Sequence, residues 1–425
     1  MYFVSTRGSA PRATLEEAVF AGPAPDGGLY VSESLPRIEL DIPRGGAAAD
    51  TASIVARQLF RTALDGDAVE ALVRDSLDFE IPVVELSPRM FGLELFHGPT
   101  HAFKDVGARF LSRLVAHFAS FRDREATVLV ATSGDTGSAV AHAFSGLEGV
   151  RVVVLFPRGK VSRIQRLLFT TLGGNVTSIA VEGTFDDCQR LVKKAFADPD
   201  TTGQSKLVSA NSINVGRLLP QIFYYFHLAA QFSNSDDPPV VSTPSGNFGN
   251  LTAGLMAKRM GARIARFVAS TNANDVVPEY LTTGEFRPRP STATMSNAMD
   301  VGDPSNFSRI QWLYDGDAAR LRRDVTGCSF SDEQTADAIR SVFARTGYVL
   351  DPHSAVGLLG AESVPSGDRV FLSTAHPAKF GETVARMIDT DVAVPETLAR
   401  YESRQELVTE MDADYEDLKQ ILYTS

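Results

Sequence analysis

The stretch Thr127-Val128-Leu129-Val130-Ala131-Thr132-Ser133-Gly134-Asp135-Thr136-Gly137-Ser138-Ala139 decides the architecture. Its first five residues are uncharged, three of them aliphatic, and read as a strand buried on both faces; a turn of hydroxyls and glycine follows, and helical spacing begins at Gly137. The alternation continues downstream. Residues 151–156 read as a strand ended by Pro157, 162–172 as a helix, 176–181 as a strand, 184–196 as a helix and 206–209 as a strand. Strand and helix in strict succession predict a parallel sheet with helices on both faces. Further on, 216–232 reads as one long helix rich in aromatic residues, and 240–243 starts a second unit of the same kind. The fold class is therefore α/β, with two wound domains and a ligand cleft between them, since such folds bind at the carboxyl ends of their strands.

On the N-terminal side the signals are mixed. Thr14-Leu15-Glu16-Glu17 has the spacing of a capping box, Gly27-Gly28 turns into Leu29-Tyr30-Val31, and residues 48–61 and 67–76 have helical periodicity. No chemistry stands out there, so residues 1–93 are read as a covering domain. The remaining boundaries expected are 94–126 with 206–395 for the larger α/β domain, 127–205 for the smaller, and 396–425 for an acidic helical tail, a solvated face without function.

At 425 residues the chain is longer than one hydrophobic core usually serves. Its net charge of −11, without a lysine or arginine cluster, argues against a nucleic-acid surface. The two cysteines, Cys188 and Cys328, have no metal-ligand spacing and indicate neither a disulfide framework nor a metal site. No apolar run approaches a membrane span and the first residues lack an apolar signal core, which places the expected protein in the cytoplasm.

Five places carry chemistry. In Phe96-His97-Gly98-Pro99-Thr100-His101-Ala102-Phe103-Lys104-Asp105 the lysine stands where a loop becomes a helix. The positive end of the helix dipole and the loss of water both depress a lysine pKa, as a Schiff-base nucleophile requires; the alternative is a solvated first-turn lysine. Pro244-Ser245-Gly246-Asn247-Phe248-Gly249-Asn250 joins a strand to a helix, and its glycines and free amides suit a phosphate, although it is neither a P-loop nor a dinucleotide fingerprint. Thr132 to Thr136 offers hydroxyls and amides at another helix start, where Asp135 is either an N-cap or the partner of a group that carries positive charge. Asn211-Ser212-Ile213-Asn214-Val215-Gly216-Arg217 ends in an arginine, which is either a fork for a phosphate or carboxylate or an ordinary surface residue. Phe371-Leu372-Ser373-Thr374-Ala375-His376-Pro377-Ala378-Lys379-Phe380 is a strand ending in hydroxyls, and Thr374 can bond a heterocyclic nitrogen without charging it.

In this order these motifs, with Ser5-Thr6-Arg7-Gly8, residues 24–31 and Ser296-Asn297-Ala298-Met299-Asp300-Val301, resemble the threonine synthases, pyridoxal-phosphate enzymes of the tryptophan-synthase β-type fold, also called fold type II. The resemblance implies pyridoxal 5'-phosphate as cofactor, Lys104 as its Schiff-base lysine, Gly246, Asn247, Phe248, Gly249 and Asn250 as the loop for its phosphate, Thr374 as partner of its ring nitrogen and Asp135 facing its phenolic oxygen. It further implies Thr132, Ser133, Gly134 and Thr136 on the substrate-carboxylate side, and Asn211, Ser212, Arg217 and Asn247 on the substrate phosphate. Many relatives carry an apolar residue in place of His101 and asparagine in place of Asp135, so both positions bear on protonation near the cofactor.

The reaction implied converts O-phospho-L-homoserine and water to L-threonine and phosphate by γ-elimination and β-addition, the last step of threonine biosynthesis, in a monomer or homodimer. A phospho-lyase giving a 2-keto acid, a serine or threonine dehydratase, and a non-enzymatic binding protein of the same fold are the alternatives. The pairing of Asn211-Ser212 with Arg217 speaks against a dehydratase, which needs no second phosphate site, and Lys104 with Thr374 speaks against a binding module.

Overall fold

The computed structural model describes residues 1–38, 44–119, 126–235 and 237–423. Three sheets organise it. The largest has six strands in the order Val325–Ser329, Arg266–Thr271, Val240–Pro244, Arg369–Ser373, Met90–Glu94 and Val83–Ser87, parallel throughout except for the last pair. The second has five parallel strands in the order Thr409–Asp412, Val176–Glu182, Val150–Pro157, Ala126–Ala131 and Lys206–Ser209. A small antiparallel sheet of Ala13–Thr14, Tyr2–Ser5 and Tyr30–Ser32 lies at the N-terminus.

The strand of the opening stretch forms where its composition puts it: all six residues of Ala126–Ala131 are buried, between helices on both faces of the sheet. The capping box forms too, with the Thr14 hydroxyl accepting from the Glu17 amide and the Glu17 carboxylate accepting from the Thr14 amide at 2.7 Å.

The sheets cross the expected boundaries in three places. Val83–Ser87 and Met90–Glu94 pair into the six-stranded sheet, so the end of the expected covering domain is part of the large unit. Lys206–Ser209 pairs with Ala126–Ala131 and so belongs to the five-stranded unit, not to the larger one. The tail is not a solvated face: Thr409–Asp412 pairs with Val176–Glu182, and helix Tyr415–Tyr423 buries Tyr415, Leu418 and Leu422 against Cys188 and Leu191. Each of those leucines is worth about 1.5–3 kcal/mol on burial. The long aromatic helix is divided as well, into Val215–Leu218 and Gln221–Gln231, because Pro220 has no amide to continue the ladder.

Strand order places the chemistry. Val240–Pro244, Arg369–Ser373 and Met90–Glu94 are successive neighbours, and their carboxyl ends lead to the Gly246 loop, to Thr374 and to Lys104. In the facing unit the neighbours Ala126–Ala131 and Lys206–Ser209 lead to the Asp135 turn and the Asn211 turn.

Candidate active site

Lys104 is the first residue of helix Lys104–Ala119. Its side chain keeps 16% exposure, and its Nζ lies 3.4 Å from Asp135 Oδ2. Burial pushes the amine below its ordinary pKa; Asp135 works against that, while Lys379 and Arg217 add to it. Desolvation is thus the main cause, ahead of the neighbouring cations. The turn before Lys104 is held by Asp105, a buried carboxylate that accepts from the Thr100 amide at 2.8 Å and the Thr100 hydroxyl at 2.6 Å. A Cβ on Gly98 would lie 2.6 Å from Asp105 Oδ2, so the tightness of this turn requires glycine.

Asp135 opens helix Asp135–Phe144, whose N-cap is Gly134 with no side-chain cap. It is therefore the partner of positive charge, not a cap. Its Oδ1 takes Lys379 Nζ at 2.6 Å and Gln165 Nε2 at 2.8 Å, and its Oδ2 faces Lys104. Burial raises its pKa, but Lys379 and Lys104 outweigh that and hold it well below the usual carboxylate range. Gly134 takes up a φ of 143°, a conformation open to glycine. The Thr132 hydroxyl turns into the loop, accepting from the amides of Gly134 at 2.9 Å and Gly137 at 2.8 Å. It shapes the turn, and the amides of Ser133, Asp135 and Thr136 are left without a protein acceptor among the described residues.

The Gly246 loop has the same character. The amides of Gly246, Asn247, Phe248 and Gly249 find no protein acceptor among the described residues, and Phe248 stands at φ 59° immediately before helix Gly249–Met260. An anion is the natural partner of such a cradle. Asn250 spends its side chain on the loop, accepting from Ser245 Oγ at 2.8 Å and donating to the Pro244 carbonyl at 2.8 Å. Asn247 reaches sideways instead, donating to Ser212 Oγ at 3.1 Å and accepting from the Ser305 amide at 2.7 Å. It joins the two anion turns.

Arg217 is no surface residue. It is 4% exposed, its Nη1 donates to the Ala210 carbonyl at 2.7 Å, and its Nε is buried without a partner among the described residues. Burial lowers it to about 10, with Asp105 opposing. Asn211 nearby also has a buried Oδ1 without a partner among the described residues. Gly107 makes the approach of this turn possible, since a Cβ there would lie 2.7 Å from the Arg217 carbonyl oxygen. A desolvated guanidinium with no carboxylate within ion-pair reach among the described residues is stabilised by an incoming anion.

Thr374 is buried, and no hydrogen bond of its hydroxyl to protein is formed among the described residues. Its amide donates to Ser354 Oγ at 3.1 Å, and Asp351 bonds the neighbouring His353 Nδ1 at 2.7 Å. The amide cradle of the Gly246 loop, the free Thr374 hydroxyl and the desolvated lysine fit the phosphate, ring nitrogen and aldehyde of pyridoxal phosphate.

Lys379, Gln165 and Ser305 are the site residues that sequence reasoning missed. Gln165 left a signal, a polar residue on the same helical face as Leu168 and Phe169 of Arg163–Thr170. Lys379 left none beyond its place after a buried strand.

Comparison with known proteins identifies the family. Residues 87–374 match the family described as pyridoxal-phosphate dependent enzyme, and the fold and site together define an enzyme of that class, with pyridoxal 5'-phosphate as its cofactor. Residues 2–77 match the threonine synthase N terminus and residues 354–422 the threonine synthase C-terminal family. The threonine synthase of Haemophilus influenzae is 43% identical over 422 residues, 97% of each chain. The crystal structure of PLP-bound threonine synthase from Brucella melitensis superposes with a TM-score of 0.94 at 34% identity, covering 100% of this chain and 99% of that one. That of threonine synthase from Escherichia coli gives 0.91 at 39% identity, covering 99% of both. The chain belongs to the threonine synthase family. Among the described residues no helix is long and apolar enough to cross a membrane.

Proposed function

We propose that this enzyme takes O-phospho-L-homoserine and water to L-threonine and phosphate, in the cytoplasm, with the six-stranded and five-stranded units as the two walls of the cleft. The observation that carries the substrate assignment is Arg217, a buried guanidinium beside the Asn211-Ser212 turn whose Nε has no partner among the described residues. A substrate phosphate there is a second anion, separate from the one cradled by Gly246 to Asn250.

The roles follow from the geometry. Lys104, its pKa lowered by burial, is the amine that holds the cofactor and afterwards moves protons at the substrate carbons. The cofactor supplies the conjugated electron sink for the carbanion left when the α proton departs. Thr374, a neutral hydroxyl, would hold the ring nitrogen without charging it, and Asp135 would sit on the side of the phenolic oxygen. The open amides of Ser133, Asp135 and Thr136 take the substrate carboxylate. Asn211, Ser212, Asn247 and Arg217 grip the substrate phosphate and gain strength as charge grows on the leaving group.

The test is to supply phosphohomoserine and identify the products. Threonine with one phosphate per turnover supports the reading; a keto acid in its place would reassign the enzyme to the phospho-lyases. Borohydride reduction should fix the cofactor on the peptide containing Lys104.

A further inference from the structure

Lys379 lies on the short turn Pro377–Phe380 after strand Arg369–Ser373, and its side chain is wholly buried. Its amine donates to the Thr100 carbonyl at 2.7 Å and pairs with Asp135 Oδ1 at 2.6 Å. Its carbonyl accepts from the Ser162 hydroxyl at 3.0 Å, and Ser162 is the N-cap of the helix that carries Gln165. Asp135 and Gln165 come from the five-stranded unit; Lys379 and Lys104 come from the six-stranded one. One carboxylate is therefore shared across the cleft by two lysines, with one oxygen fully occupied and the other presented to Lys104.

We propose that Lys379 is a positioning residue: by holding Asp135 Oδ1 from across the cleft, it leaves Oδ2 as the single acceptor facing Lys104 and sets how tightly the Lys104 amine keeps its proton. A carboxylate paired with Lys104 alone would hold that proton hard, and an amine so held is a poor base and a poor nucleophile. A second cation on the same carboxylate shares its field and loosens the proton. Among the described residues, the charges that act most on Lys104 are Asp135, Lys379 and Arg217, and those that act on Asp135 are the two lysines, with Gln165 donating to it. Further out, Asp105 and the rings of His101, His142 and His376 also feel Lys379.

The proposal rests on Lys104 being the reactive amine of the function above. It is tested in the full-length chain freed of cofactor, by reductive methylation of Lys104 as a function of pH with peptide mass spectrometry as readout. Lys379→Met should raise the labelling midpoint by about one pH unit or more, the scale on which a neighbouring charge moves a titrating group. Lys379→Arg, which keeps the charge, should stay near the wild-type midpoint, and Asp135→Asn should lower it. The pH midpoint of the visible absorption band of the cofactor-loaded enzyme should move in the same directions. Lys379→Gln repeats the test if the methionine variant does not fold. A folded variant with an unchanged midpoint would overturn the proposal, and so would a chain that folds with neither substitution, because Lys379 would then belong to the scaffold. Failure of the functional reading is distinguishable: wild-type enzyme that makes no threonine would still report its labelling midpoint.

Discussion

The amide of Phe103 donates to the carbonyl of Thr374 at 2.9 Å. The contact belongs to a short backbone zip in which Ala102 bridges Ala375 and the His376 amide donates to the His101 carbonyl at 3.1 Å. Lys104 and Thr374 are far apart in the chain, yet main-chain bonds set their separation. Changing either side chain should therefore alter the chemistry and leave the frame standing.

Lys104→Ala tests that separation of frame from chemistry. The helix beginning at 104 tolerates alanine, and the amides of the Gly246 loop do not depend on the amine. The variant should unfold at the wild-type temperature and bind pyridoxal phosphate non-covalently while forming no threonine. Threonine formation near the parental rate would remove Lys104 from the centre of the reaction.

How much of this was legible in the sequence depends on burial. Strands such as Val150–Pro157, with seven of eight residues buried, announce themselves as apolar runs. Thr409–Asp412 lies at a sheet edge with only Met411 buried, so its four residues carry no strand signal. The anion turns were legible because glycine and short polar residues leave a strand in recognisable order. Lys379 was not, because its burial depends on a carboxylate brought from a distant turn, and nothing near it in the chain records that meeting. For Arg217 the residues alone left two readings open, and only packing against Gly107 decides for the buried one.

Gly246→Ala should damage the cofactor cradle without touching a ligand. The new Cβ would lie 2.7 Å from Met299 Cα and 3.0 Å from the Ala298 carbonyl oxygen. Both are backbone atoms, and the Ala298 amide is itself held by His353 Nε2 at 3.1 Å, so the neighbour has little freedom to yield. Overpacking of this kind costs about 1–3 kcal/mol. Fluorescence titration should find weaker pyridoxal-phosphate binding, and unchanged affinity would mean that the 296–300 segment moves aside easily.

Four histidines, His101, His142, His227 and His376, make stability fall in mild acid. Burial is the largest cause in each, lowering His101 to about 3, His142 and His376 to about 4, and His227 as well. In the unfolded chain such rings titrate near ~6.5, so below that pH the unfolded state binds protons that the folded state refuses. Stability from these rings is complete above ~6.5 and is lost as pH falls toward the folded values, by up to about 1.4 kcal/mol per pH unit for each ring. Thermal unfolding between about pH 6.5 and 5, above the range where carboxylates titrate, should show a falling midpoint, with a shallower fall for His142→Gln. A flat profile for the parent would contradict the burial of these rings.

On the proposed reading, Arg217 separates this enzyme from a serine or threonine dehydratase, which needs no second phosphate site. The guanidinium is desolvated, one edge is tied to the Ala210 carbonyl, and Nε lacks a partner among the described residues, which on the proposed reading the substrate phosphate supplies. Removing one partner of such a buried charge pair costs about 2–5 kcal/mol, and Arg217→Ala should lose that much in kcat/KM toward phosphohomoserine. The loss should appear in kcat as well as KM, because charge on the departing phosphate grows in the transition state, whereas a uniform contact would raise KM alone. Lysine should rescue in part, since it keeps the charge and loses the fork. In the absence of substrate the same substitution should cost little stability or even add some, because it removes an uncompensated buried cation. Steady-state kinetics beside thermal unfolding of the free enzyme separates the two effects. Equal impairment toward an unphosphorylated amino acid, or none toward phosphohomoserine, would place the substrate phosphate elsewhere.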